Sequence, residues 1–147
     1  MGLNNSSLLI ALGIALGMFF FSRTGYSPGG IITPGLLAMD LADPSRLGTT
    51  FACAFLTSAL LTLAVRAWGL YGRQRTAASM LIAVAIRAAL SIFLPSAPHW
   101  TGWVAPGLIG ADMHRQGILP TSAASLAAAF ATSLAANLLY AIPGVRL

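Results

Sequence analysis

Two apolar stretches of this 147-residue chain break at the same Pro-Gly-Leu triplet, first at Pro34-Gly35-Leu36 and again at Pro106-Gly107-Leu108, 72 residues further on. Other matches share that spacing. Leu9, Ile10, Ala11 and Ile14 align with Leu81, Ile82, Ala83 and Ile86, Gly30 with Gly102, Asp40 with Asp112, and Thr49 with Thr121. A constant offset over so many positions is the mark of a duplicated unit, here 1–72 followed by 73–147. With 57% hydrophobic and 7% charged residues, against about 25% charged in soluble domains, the chain is expected to be an all-α integral membrane protein. Non-helical backbone at membrane depth is tolerated only where protein or water shields it. The two broken segments are therefore where function is to be sought.

The first apolar run, Leu8 to Phe21, approaches the roughly 20 residues that cross a bilayer core. No basic residue precedes it and no Ala-x-Ala site follows, so it reads as a retained span rather than a leader. Its Gly13 and Gly17 form a small-xxx-small pair that favours close helix approach. Residues 24–48 hold Pro28, Gly29, Gly30, Pro34, Gly35 and Pro44, too many breakers for one helix. Pro34 suits the first turn of a short helix ending near Leu41, roughly 12 to 15 Å long and half the hydrocarbon thickness. Such a helix is re-entrant or interfacial.

A second span runs from about Thr49 to Leu70. The second unit then repeats the order: a span over Thr76–Leu94, a broken segment over Pro95–Pro120, and a last span over Thr121–Ile142. The expected architecture is about four full spans plus two re-entrant or short helices. If the broken segments instead cross completely, each unit has three spans and the repeats are inverted, a 3+3 arrangement known in transporters. The basic loop Tyr71-Gly72-Arg73-Gln74-Arg75 faces the cytoplasm by the positive-inside rule, and the four-span reading sets Arg23, Arg46 and Arg115 against it across the membrane. That reading puts both termini inside and both Pro-Gly segments on the outer half.

The charged residues are few. All eight basic residues are arginine, which excludes a P-loop lysine and a lysine Schiff base or general base. Arginine pairs bidentately with carboxylate or phosphate and stays charged when buried; a bias toward arginine codons would give the same composition. The net charge of +5 suits anionic lipid or an anionic substrate. Arg87 sits mid-span, where an arginine costs about 2.5 to 3.5 kcal/mol on insertion scales, so it needs a partner or a wet cavity. Asp112 and Asp40 are the candidate partners. These two aspartates either share protons or a cation as symmetry mates, or serve as capping and turn residues at the ends of the short helices. Pro34, Gly35, Pro106 and Gly107 mark helix N-termini whose dipoles suit an anion. Cys53 is single and reads as packing, and His99 and His114 are too far apart in sequence to suggest a metal pair. His99-Trp100 and Trp103 read as interfacial anchors. No metal, cofactor or nucleic-acid signature is present.

These residues also carry a family likeness. Thr24-Gly25-Tyr26-Ser27-Pro28-Gly29-Gly30 leading into Thr33-Pro34-Gly35, Tyr71-Gly72-Arg73 followed by Ala77-Ala78, and Pro106-Gly107-Leu108-Ile109 running to Arg115-Gln116-Gly117 together resemble the PgsC/CapC family. The likeness covers nearly the whole chain. It implies a small subunit, multi-pass in the bacterial cell membrane, of a poly-gamma-glutamate synthase. Its implied partners are a cytoplasmic ATP-dependent ligase and an outward-facing accessory subunit, in a homo- or hetero-oligomer. The ligase would carry the ATP chemistry, leaving this chain non-catalytic or co-catalytic. Arg73 and Arg75 would then dock the ligase or guide polymer carboxylates at the cytoplasmic face, and Arg87 and the short-helix N-termini at Pro34-Gly35 and Pro106-Gly107 would line the route. The rival expectations are a self-sufficient small transporter or channel, and a scaffold whose Pro-Gly segments merely dock partners.

Overall fold

Each apolar run becomes a helix in the computed structural model, which describes residues 5–93 and 104–141. The order is α1 (Asn5–Thr24), α2 (Thr33–Asp40), α3 (Pro44–Trp68), α4 (Arg73–Phe93), α5 (Val104–Gln116) and α6 (Ile118–Ala141), with no strand among the described residues. Pro95, His99, Trp100, Gly102 and Trp103 lie outside the described residues. Proline and glycine set the boundaries. Pro34 and Pro44 stand in the first turns of α2 and α3, where a missing N–H is harmless. Gly69 turns left-handed at φ 60° and closes α3 by donating its N–H to the Val65 carbonyl, and Gly117, at φ 100°, separates α5 from α6.

The expected short helices differ in length. α2 has 8 residues and α5 has 13, and Pro120 falls in the first turn of α6 rather than in a break. Three helices, α1, α3 and α6, are long and apolar enough to cross a membrane. α4 has a similar length, 21 residues, but carries Arg73, Arg75 and Arg87. Phe19, Phe55, Leu63, Leu81, Phe130 and Leu138 are all exposed, while the buried faces of α3 and α6 are built from Thr50, Ala54, Thr57, Thr121, Ala124, Ser125, Ala128 and Thr132. Large apolar residues outside and small ones inside is the pattern expected of helices packed in lipid, where close backbone approach replaces the hydrophobic effect.

The path of the broken segment is recorded in its neighbours. After α1 the chain turns back along it: the Ile31 carbonyl and Pro34 lie against Gly17, and Gly35 lies against Leu9 and Ile10. α2 thus runs antiparallel to α1 and ends near the start of α3, where Asp40 faces Arg46 at 3.9 Å. α5 takes the opposite course. Gly110 packs on Ala54 and Thr57, His114 reaches Thr62, and Gln116 is bonded to Ser27 just after α1. The C-terminal ends of α1, α3 and α5 and the N-terminal ends of α4 and α6 therefore gather at one end. The N-terminal ends of α1 and α3 and the C-terminal end of α2 gather at the other.

Candidate functional site

The two Pro-Gly segments converge in the interior. Thr33, Pro34 and Gly35 of α2 and Ala105, Pro106 and Gly107 of α5 are all buried, and the segment entering α2 lies on α5. Gly29 and Gly30, at φ 83° and 99°, touch Ile109 and Leu108. Those backbone angles and the contact both select glycine: a Cβ on Gly29 would lie 3.3 Å from the Ile109 Cα in a conformation that side chains rarely adopt. The Thr33 hydroxyl returns to the Gly29 carbonyl and ties the bent segment to the start of α2.

Glycine also sets the helix approach around both segments. A Cβ on Gly35 would lie 2.8 Å from the Ile10 Cα, and one on Gly107 would lie 3.1 Å from the Met80 Cα. Gly13 and Gly17, expected to favour close packing, meet Gly35 and Pro34 respectively. Arg87 follows Met80 and Ala83 at helical spacing on the α4 face that packs on Gly107, and its side chain is exposed one turn beyond. It is therefore on the α5-facing side of α4, at the level where α5 begins.

The aspartates take local partners. Asp40 ends α2 beside Arg46, which also holds Asp43 at 3.0 Å, and Asp112 is paired with Arg115 at 3.4 Å. Because α2 and α5 run toward opposite ends, the two carboxylates do not meet. The reading of Asp40 and Asp112 as a proton-sharing pair does not fit this placement: Asp40 is the last residue of α2, and Asp112 lies a turn inside α5.

Arg73 and Arg75 open α4, and the charge of Arg75 reaches His114 of α5. Arg23, Arg66 and Arg115 end α1, α3 and α5, so five arginines and a single carboxylate, Asp112, collect at one end. The other end holds Asp40 and Asp43 with Arg46. Among the described residues the first end carries +4 and the second −1, with Arg87 of α4 between them. The four-span reading sets Arg23 and Arg115 against Arg73 and Arg75; the antiparallel course of α2 along α1 and the bond of Gln116 to Ser27 put all four at one end.

Two features escaped the sequence analysis. Gln116 receives the Ser27 N–H at 2.8 Å and donates to the Ser27 carbonyl at 3.4 Å, latching the α1–α2 loop to the end of α5. A file of buried hydroxyls, Thr57, Thr121, Ser125 and Thr132, lines the interior, each donating to the carbonyl one turn back. The four-residue spacing of Thr121 and Ser125 beside the alanines of α6 was a legible signal. Among the described residues no group of acids, histidines and cysteine has metal-binding geometry.

Comparison with known proteins agrees with the likeness carried by these motifs. The family described as "Capsule biosynthesis CapC" matches residues 12–122. The chain is similar to the capsule biosynthesis protein CapC of Bacillus anthracis, 29% identical over 140 residues that cover 90% of this chain and 94% of that one. It is also similar to the PGA biosynthesis protein CapC of Bacillus subtilis (strain 168), 30% identical over 141 residues, covering 86% and 91%. No solved structure matches. The match spans both Pro-Gly segments, the basic loop between them and the start of α6, and on that basis the chain belongs to the capsule biosynthesis CapC family.

Proposed function

We propose that this chain is the membrane subunit of a poly-gamma-glutamate synthase, supporting polymerisation by an ATP-dependent partner ligase and the passage of the polyanion across the membrane. The observation that carries the reading is the gathering of five arginines at one end, opposite an acidic end. Glutamate joined through its side-chain carboxylate keeps one free carboxylate per residue, and arginine is the side chain that pairs with carboxylate in a bidentate fork. The chain itself holds no nucleotide-binding motif, so the ligase chemistry belongs to the partner.

The neighbours of α2 and α5 favour three crossings per unit, a 3+3 inverted repeat, over four spans with two re-entrant helices. α2 packs between α1 and α6, and α5 packs between α4 and α3: each short helix sits on the first helix of its own unit and the last helix of the other. The duplication accounts for that exchange. Its structural register shifts slightly, because Gly35 meets Leu9 and Ile10 where Gly107 meets Ser79 and Met80, a spacing of 70 rather than 72 in the first helix of each unit. By the positive-inside rule the arginine-rich end is cytoplasmic, which puts the start of α1 and the end of α6 on the outer face.

In this arrangement Arg73 and Arg75 face the ligase, and Arg87, Pro34, Gly35, Pro106 and Gly107 border the route. The outward accessory subunit then meets the end that holds Asp40 and Asp43. Arg87→Leu tests the route: polymer output falls while the variant still co-purifies with the ligase. Output equal to that of the unmodified chain removes Arg87 from the route. Inverted repeats with broken helices also suit an independent transporter, and solute uptake by the purified chain in liposomes, with no ligase recovered from native membranes, would favour that reading.

A further inference from the structure

A cleft of about 700 Å³ opens between α3 and α4, walled by Leu60, Leu63 and Trp68 on one side and Leu81, Ile82 and Ala85 on the other. Its walls are apolar throughout. We propose that this cleft seats one anionic phospholipid of the leaflet at the arginine-rich end, with acyl chain in the cleft and phosphate at Arg75. The inference needs the chain to lie in a bilayer and is independent of the synthase reading.

Depth argues for a lipid over a partner helix. The α4 wall runs from Ala78 to Ala89, about 16 Å at 1.5 Å per residue, or one half of a hydrocarbon core of about 30 Å. A spanning helix needs a seam through the whole thickness, whereas an acyl chain needs one leaflet. The mouth lies at the arginine-rich end, since Trp68 and Leu70 border the cleft there. Trp68 and Tyr71 are 77% and 80% exposed at that level, as aromatic residues at a headgroup boundary are.

Charge argues for an anionic headgroup. Arg75 lies one turn before Ala78 on the α4 stripe that continues through Ile82 and Ala85, at the mouth end of the cleft, and it is partly exposed. Arg73 lies at the same end, at the first position of α4. The carboxylate described at this end, Asp112, is paired with Arg115. A guanidinium holds a phosphodiester through two parallel N–H bonds, and the cytoplasmic leaflet supplies anionic lipid.

The test is native mass spectrometry of the purified full chain in mild detergent, mixed with equal amounts of dioleoylphosphatidylglycerol and dioleoylphosphatidylcholine. One phosphatidylglycerol is retained in preference, by roughly fivefold for each arginine at the headgroup. Arg75→Gln lowers that preference about fivefold without loss of phosphatidylcholine, and Ala85→Phe, which fills the cleft, lowers retention of both lipids. If Ala85→Phe does not yield folded protein, the unmodified chain and Arg75→Gln decide the matter. Equal retention of the two lipids by the unmodified chain overturns the proposal. So does a cross-link in native membranes from Leu63→Cys to the membrane helix of another protein.

Discussion

Gly35→Ala asks whether α1 and α2 approach as closely as any side chain allows. The added methyl would lie 2.8 Å from the Ile10 Cα and 3.0 Å from the Leu9 carbonyl oxygen, both backbone atoms that no rotamer change can move. Carbon atoms pack best at about 3.5 to 4.0 Å, so the helices must part by roughly 0.7 to 1.2 Å. That separation also loosens the contacts of Gly13 and Gly17 with α2. Overpacking of this kind costs about 1 to 3 kcal/mol, and at about 2 to 4 °C per kcal/mol for a chain of this length the midpoint of thermal unfolding in detergent falls by about 6 °C. Gly48→Ala is the control. Gly48 lies inside α3 with nothing within 4 Å of the added methyl, so the better helix propensity of alanine stabilises by up to about 1 kcal/mol and the midpoint rises. A Gly35→Ala protein that melts at or above the unmodified one would refute the argument that backbone contact limits this interface.

Three other expectations are open to direct measurement. In a Cys53→Ser background, Tyr26→Cys and Leu119→Cys, both at exposed positions of the arginine-rich end, label from the cytoplasm; labelling from outside supports four spans instead. Gln116→Ala removes both bonds to Ser27 and lowers stability by about 1 to 3 kcal/mol at 0.5 to 1.5 per bond, read as a lower unfolding midpoint, whereas an unchanged midpoint shows that the latch contributes nothing to the fold. Residues 1–72 expressed alone are degraded in cells but are rescued by a separate 73–147 chain, and persistence of 1–72 alone would show a self-sufficient unit.

Much of the helical order could be read from the chain because breakers mark it. Pro34 and Pro106 lie in the short helices expected of them, and Gly13 and Gly17 meet the surfaces their spacing implied. What stayed hidden depends on contacts far apart in sequence. Nothing local to Ser27 or Gln116 indicates that they bond across 89 positions. Nor does the break before α2 say whether the chain returns to the side it left, because eight helical residues span only about 12 Å. The bent residues before them, with Gly29 and Gly30 at positive φ, set the course of the chain, and an irregular segment leaves no hydrophobic period in the sequence. Hence the arginine distribution looked balanced until Arg23 and Arg115 were found at the end that holds Arg73 and Arg75.

The course of α2 and α5 also means that a division of the sequence at 72 is not a packing boundary. If each unit folded on itself, α2 would be covered by α1 and α3, and the two halves could drift apart. Instead α2 lies on α1 and α6, and α5 on α4 and α3, so each short helix is gripped by both units. Leu37 of α2, Ala54 of α3, Ile109 and Met113 of α5 and Ala129 of α6 form one buried cluster drawn from both halves. Any rearrangement that opens a path beside Pro34 or Pro106 must disturb that cluster or move a short helix against the glycines that seat it. The close glycine contacts and the proposed route therefore occupy the same few residues, which is why substitutions at Gly35 and Gly107 are expected to act on stability and passage together, while those at Arg73 and Arg75, outside the cluster, are expected to leave stability unchanged.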